Sequence, residues 1–292
     1  MKHTLSITLI LLGIFLLAQF VGLGIVYKYI DFTQTQELGK TTFKDLPIGE
    51  RPPVEENNSY IPVIFAVLIG TGLLLLLIKF KLGWLQKFWF TISVVIALIM
   101  AFGAFMPKTV AIGLALFLGI WKIFKPNFWV QNFTELFIYG GLAAIFVPLF
   151  NIRSAVILLI LIAIYDAYAV WKSKHMVALA KSQMKEKIFA GLLVPYHLGK
   201  KTSLIARKHA VPQKAHMAIL GGGDIAFPLI FAGVVMKEMG LWQSLIIPFF
   251  ALGGLAFLLW WADKGKFYPA MPFISAGCFV GLGVVWLIGL VV

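Results

Sequence analysis

Asp166 lies in Ile164-Tyr165-Asp166-Ala167-Tyr168, and Asp224 closes Leu220-Gly221-Gly222-Gly223-Asp224; both stretches are apolar enough to cross a bilayer. A carboxylate at mid-membrane costs about 2.5–3.5 kcal/mol on insertion scales, so acids at that depth point to chemistry or transport. Two carboxylates ~4 Å apart at an effective dielectric of about 20 repel by roughly 4 kcal/mol, which separates their titrations by about three pKa units. Such a pair holds one proton at intermediate pH. The charged member then removes a proton from water while the protonated member polarises a peptide carbonyl, which is what aspartyl proteolysis requires.

The residues flanking these acids fit a peptide that must be extended to be cut. Gly221, Gly222 and Gly223 weaken a helix by ~1 kcal/mol each relative to Ala and let another backbone approach closely. Pro228 cannot give the helical hydrogen bond that the Asp224 carbonyl would accept, so the sequence predicts a helix loosened on both sides of the acid. Backbone left unpaired at that depth must be covered by protein or line a water-filled cavity, and water is the second reactant. Tyr268-Pro269-Ala270-Met271-Pro272 opens the last apolar run; its two prolines favour a non-helical start with acceptors free to meet an extended chain. Gly277 and Gly281 beyond it form a small face for close helix packing.

These residues sit in a chain that is 61% hydrophobic and only 13% charged, with a mean hydropathy of +0.93, against about 25% charged residues in soluble domains. It reads as an all-α integral membrane protein. The net charge of +13 is spread between apolar runs rather than along one polar face, which argues for topology and lipid contact and against nucleic acid. Cys278 is the only cysteine, so neither an intrachain disulfide nor a multi-cysteine metal site can form. The histidines lack the His-Glu-x-x-His spacing of a zinc protease; no metal or other cofactor is expected.

Runs of about 20 apolar residues span the hydrocarbon core as helices, and nine are predicted. They cover roughly 5–27, 61–78, 88–106, 109–121, 130–150, 154–171, 215–236, 241–261 and 269–291, the fourth being short and containing Gly113 and Gly119. The first exceeds a signal-peptide core and lacks a small-residue cleavage pattern, so it is read as a span. The whole of 1–292 is expected to form a single polytopic domain. Lys and Arg fall 18 to one side and 7 to the other, and 8 to 3 without the two long loops. This places the N-terminus in the cytoplasm and the C-terminus outside, in the cell membrane. Residues 28–60, with six acids, become an external loop, and the basic residues 172–214 a cytoplasmic one. The latter's apolar patch at 188–194 is read either as part of an ordinary loop or as an interfacial segment gating lateral access. Helical rise from Lys172 and Lys214 puts Asp166 roughly 9 Å and Asp224 roughly 15 Å from the cytoplasmic face.

Tyr-Asp in the sixth span, Gly-x-Gly-Asp in the seventh and Pro-Ala-x opening the ninth form a pattern that resembles the presenilin and signal peptide peptidase family of intramembrane aspartyl proteases, in its compact microbial form. The motifs occupy Tyr165 to Asp166, Gly221 to Asp224 and Pro269 to Met271, and the nine-span layout extends the likeness to the whole chain. The resemblance implies a presenilin-like fold, Asp166 and Asp224 as the catalytic pair, and Pro269, Ala270 and Met271 shaping the site and binding substrate. Met271 stands where the family usually has Leu, an exchange of little volume change. Transmembrane peptides are the implied substrates. Presenilins resemble this chain in having the N-terminus inside, which implies a preference for substrates whose N-terminus is external. Presenilins also work with partner subunits, and this sequence does not say whether any are needed here.

The alternative is a cation- or proton-coupled carrier with the two Asp as ion ligands, since broken acidic helices serve transport too. An earlier half with a matching interruption is absent, which counts against it. A serine hydrolase lacks its Gly-x-Ser-x-Gly. Arg153 reads as an end anchor, Asp263 as a loop charge, His216 as a headgroup-level residue, and Tyr165 as a hydrogen-bond donor to the site or an aromatic packing residue.

Overall fold

The computed structural model describes residues 5–173, 179, 183, 188–195, 217–263 and 268–291. Its helices are α1 (Leu5–Tyr29), α2 (Phe32–Leu38), α3 (Tyr60–Lys79), α4 (Gly83–Gly103), α5 (Lys108–Phe124), α6 (Phe128–Phe146), α7 (Ile152–Ala167), α8 (Gly223–Met239), α9 (Leu241–Ser244), α10 (Ile246–Trp261) and α11 (Met271–Val291). Seven membrane-length apolar helices occur among the described residues. α5 and α8 coincide with the fourth and seventh predicted spans but have 17 residues each.

The helical reading holds with one addition, a two-stranded antiparallel hairpin of β1 (Gly191–Pro195) and β2 (Met217–Gly221). The predicted span at 215–236 therefore does not begin as a helix. Met217 to Gly221 run extended, Gly222 caps, and α8 starts at Gly223. The glycines mark a strand-to-helix junction rather than a weakened helix, and the depth estimated for Asp224 by helical rise no longer applies, because a strand advances about 3.3 Å per residue. The apolar patch at 188–194 supplies β1. Its buried Leu192 and Val194 and the facing Leu220 and Ala218 pack inward against α1 and α6.

α1 runs through the middle of the molecule, against α6, α8, α10 and the hairpin. Gln19, fully buried on it, donates to the carbonyl of Ile225 at 2.9 Å and so fixes the first turns of α8. The Gly277/Gly281 face seats α11 on α10 as expected: a Cβ at Gly277 would strike the carbonyl of Phe250, and one at Gly254 that of Phe273. Backbone thus meets backbone along this pair.

Residues 28–60 form a folded cover rather than a bare loop. Asp31 caps α2 through the amides of Thr33 and Gln34, and Glu56 bridges Lys40 and Lys237, both at 2.9 Å. Burial raises the Glu56 carboxyl pKa, but its two ammonium partners outweigh this and hold it below the ordinary value. Lys237, counted above as an end charge, is buried and also donates to the carbonyls of Pro148 and Phe150. Lys122, likewise counted, is buried against Glu135. Removing both leaves Lys and Arg at 17 against 6, so the direction of the bias is unchanged.

Candidate functional site

Why the two acids arrive at one level follows from the opposite ends of their helices. Ile152 N–H at the start of α7 donates to Glu238 Oε1 at the end of α8 at 3.0 Å, and Lys237 holds the carbonyls just before α7. α7 and α8 therefore pack antiparallel from a common clamp. Asp166 follows Ile152 by fourteen positions and Asp224 precedes Glu238 by fourteen, so each acid stands about 21 Å from that clamp. A capping box in which Asn151 and Ser154 satisfy each other's backbone fixes the start of α7.

Asp166 is buried, with 7% of its surface exposed. Its Oδ2 accepts from the Met271 amide at 3.1 Å, and the Ala270 amide faces the same carboxyl. The structure thus joins the first and third sequence motifs. Pro269 lies outside the helix and α11 begins at Met271, so the amides that Asp166 uses are those a helix start leaves without an internal partner. Met271 contributes a peptide N–H, so a Met in place of Leu does not alter the contact. Tyr165 is half-buried and lines a shallow apolar groove between α3 and α7 with Ile64, Val67, Leu68, Leu161 and Tyr168.

Asp224 is half-buried in the first turn of α8, where exposed helix N–H groups favour negative charge. Its carboxyl folds back over the end of β2: a Cβ on Gly221 would lie 3.2 Å from Oδ2. One on Gly222 would meet the Tyr139 ring and hydroxyl at 3.1 Å and the carbonyl of Ala190 at 3.5 Å. Gly191, opposite Gly221 in the hairpin, has φ +149° and no room for a side chain between the Leu220 carbonyl and the Phe189 ring. Glycine is required there on both counts.

The hairpin's two edges differ. On β1, Leu193 exchanges two hydrogen bonds with the Asn132 side chain, at 2.9 and 3.0 Å, and Gln131 donates to the carbonyls of Phe189 and Gly191. Leu193 and Ile219 are hence a pair that does not bond across the ladder, and the N–H and C=O of Ile219 point to the opposite edge. Among the described residues nothing pairs with that edge, which leads straight to Asp224.

Residues missed in the sequence stand behind this face. α6 carries Gln131, Asn132, Thr134, Glu135 and Tyr139, all buried. Glu135 pairs with Lys122 of α5, with 1% of each side chain exposed, and Gln131 donates to the same carboxylate oxygen at 2.9 Å. The signal was present: Glu135 is an ionisable residue inside a predicted span, the criterion that selected Asp166 and Asp224. Arg153 and Asp263 are exposed, the latter accepting from the Tyr268 hydroxyl at 3.2 Å, and His216 lies outside the described residues. Among the described residues no group of His, Cys, Asp and Glu could hold a metal ion.

A multi-helix membrane protein with two acids at one depth, one on a helix start and the other after an open strand edge, has the parts of an intramembrane hydrolase. The chain belongs to the family described as signal-peptide peptidase, presenilin aspartyl protease, whose model matches residues 40–292. Two solved structures of a presenilin family intramembrane aspartate protease share the fold. One, in space group C222, is 20% identical with a TM-score of 0.60, the match covering 96% of this chain and 99% of the other. The second, in space group P2, is also 20% identical with a TM-score of 0.62, covering 98% of each. No curated protein matches. The protein is accordingly a multi-pass intramembrane aspartic endopeptidase, and the matches give the carrier reading no support.

Proposed function

We propose that Asp166 and Asp224 are the catalytic pair, hydrolysing peptide bonds within or near the membrane spans of single-span proteins or signal peptides. The observation that carries this reading is the shared clamp, which sets both acids the same distance along adjacent antiparallel helices while the start of α11 orients one of them. One carboxylate takes a proton from water as the oxygen attacks the scissile carbonyl, the other acid protonates the carbonyl oxygen, and collapse of the diol returns a proton to the leaving amine. The outer edge of β2 receives the substrate as a third strand, since its Ile219 N–H and C=O face away from β1 and the strand ends three residues before Asp224. Gly221, Gly222 and Gly223 keep side chains out of that approach, and Pro269, Ala270 and Met271 close the site from α11.

From the Lys and Arg bias we assign the N-terminus to the cytoplasm, the C-terminus and residues 28–60 to the outside, and the enzyme to the cell membrane, with substrates whose N-terminus is external preferred. Cleavage of a single-span reporter by purified enzyme in liposomes tests the core of this reading. Asp166→Asn and Asp224→Asn are each expected to abolish cutting, and persistent cutting by either rejects the pair. Ile219→Pro removes the edge N–H and is expected to lower kcat/KM without loss of fold.

A further inference from the structure

Two polar atoms in the packed interior of the protein are left over among the described residues. The Lys122–Glu135 pair is almost wholly buried, and Lys122, Thr134 and Gln131 satisfy it on one side, both Lys122 and Gln131 reaching Oε1. Glu135 Oε2 is buried with no well-formed hydrogen bond among the described residues. Four residues on, along the same face of α6, the buried Tyr139 hydroxyl is turned toward the Glu135 carboxylate but completes no well-formed hydrogen bond among the described residues, and its ring lies against Gly222. Unpaired buried polar atoms cost about 1–3 kcal/mol each, so their presence together in a packed core calls for a use. Among the described residues Glu135 is the nearer charged group to this hydroxyl, within hydrogen-bonding reach, and Asp224 is the second, within electrostatic reach. Around them, α5 brings Lys122, α7 brings Asp166, α1 brings the uncharged Gln19, and the described hairpin residues bring no ionisable side chain.

We propose that Tyr139 is a positioning residue for Asp224: its O–H turns between Glu135 Oε2 and the Asp224 carboxylate, holding the latter while it is charged. The inference rests on Asp224 being one of the catalytic pair. A phenol is a donor that stays protonated through the neutral range, so it follows the charge on Asp224 without exchanging a proton with it. When Asp224 takes a proton from water, the donor loses its charged acceptor and returns to Glu135, which the buried Lys122 holds in place. Gly222 sets the ring's place in this arrangement, because a Cβ there would lie 3.1 Å from the ring and its hydroxyl and require them to shift by a few tenths of an ångström.

Tyr139→Phe removes the donor and keeps the ring. In the reporter assay we expect kcat about tenfold lower, KM unchanged, an unchanged melting temperature, and the acid side of the pH–rate profile moved to higher pH by about one unit. A wild-type kcat and pH profile overturns the proposal, as does a lowered melting temperature with the acid limb unmoved. Gly222→Ala provides a second arm should the Phe variant not fold: it keeps the phenol but displaces the ring, so it too must move the acid limb, and an unmoved limb overturns the idea. Asp224→Asn separates the two levels. Cutting that survives it defeats the catalytic pair itself, whereas cutting abolished by it alongside an indifferent Tyr139→Phe defeats only the positioning role.

Discussion

The two ends of the α7–α8 pair are built from the same kinds of polar group and put them to opposite uses. At the Lys237 end the charges beside the helix pair are engaged: Glu56 takes Lys40 and Lys237, Lys237 also takes two carbonyls, and Glu238 takes the N–H at the start of α7. At the aspartate end polar capacity is left in surplus among the described residues, in the open edge of β2, Glu135 Oε2 and the Tyr139 hydroxyl. A saturated end fixes geometry, and an unsaturated end has capacity left for a substrate and water.

That contrast can be broken at several points. The largest effect is expected from Asp166→Asn or Asp224→Asn, with cleavage of a reporter falling by about a thousandfold or more while the melting temperature holds. Next comes Glu135→Leu, which strands the Lys122 ammonium in the core and should cost about 3–5 kcal/mol of stability. Lys122→Met combined with Glu135→Leu should recover most of that loss in denaturant titrations, because a buried pair replaced by apolar groups of similar size is often neutral. Asn132→Ala, which frees Leu193 on β1, is expected to cost about 1–3 kcal/mol locally, read as faster amide exchange at Leu193 and slower cleavage.

The smallest effect belongs to the saturated end and carries a pH signature. Glu56 has a folded pKa below its unfolded one, so its contribution is full above the ordinary carboxylate value of 4.5 and fades as pH falls through the lower folded value. Glu56→Gln should therefore lower the melting temperature at pH 7, with the difference from wild type closing in acid. A difference that persisted undiminished below pH 4.5 would show that the charge is not what binds this cover to α8.

Much of this was legible in the residues. Apolar runs of membrane length, two acids inside them and prolines opening the last run are features of composition and spacing; that the last run offers Asp166 the amides of Ala270 and Met271, rather than acceptors to a substrate, is seen only in the structure. The hairpin was not legible, because Gly191 to Pro195 and Met217 to Gly221 are short apolar runs that read equally as pieces of helix. Their strand character comes from each other and from Gln131 and Asn132, which lie about 60 residues from β1. Lys122 and Lys237 enter the Lys and Arg count for a related reason: a lysine near the end of an apolar run counts as a loop charge, and only its partners Glu135 and Glu56 reveal it as internal. Glu135 is legible by its type, an ionisable residue inside a predicted span, though no motif surrounds it.

Among the described residues, Asp166 is gripped by the peptide nitrogens of Ala270 and Met271. Genetic drift at positions 270 and 271 can exchange one side chain for another without erasing the donors, since every amino acid but proline carries them. The hold on this acid is thus insulated from most point mutation, and is vulnerable instead to proline, or to an insertion or deletion that shifts where the final helix begins.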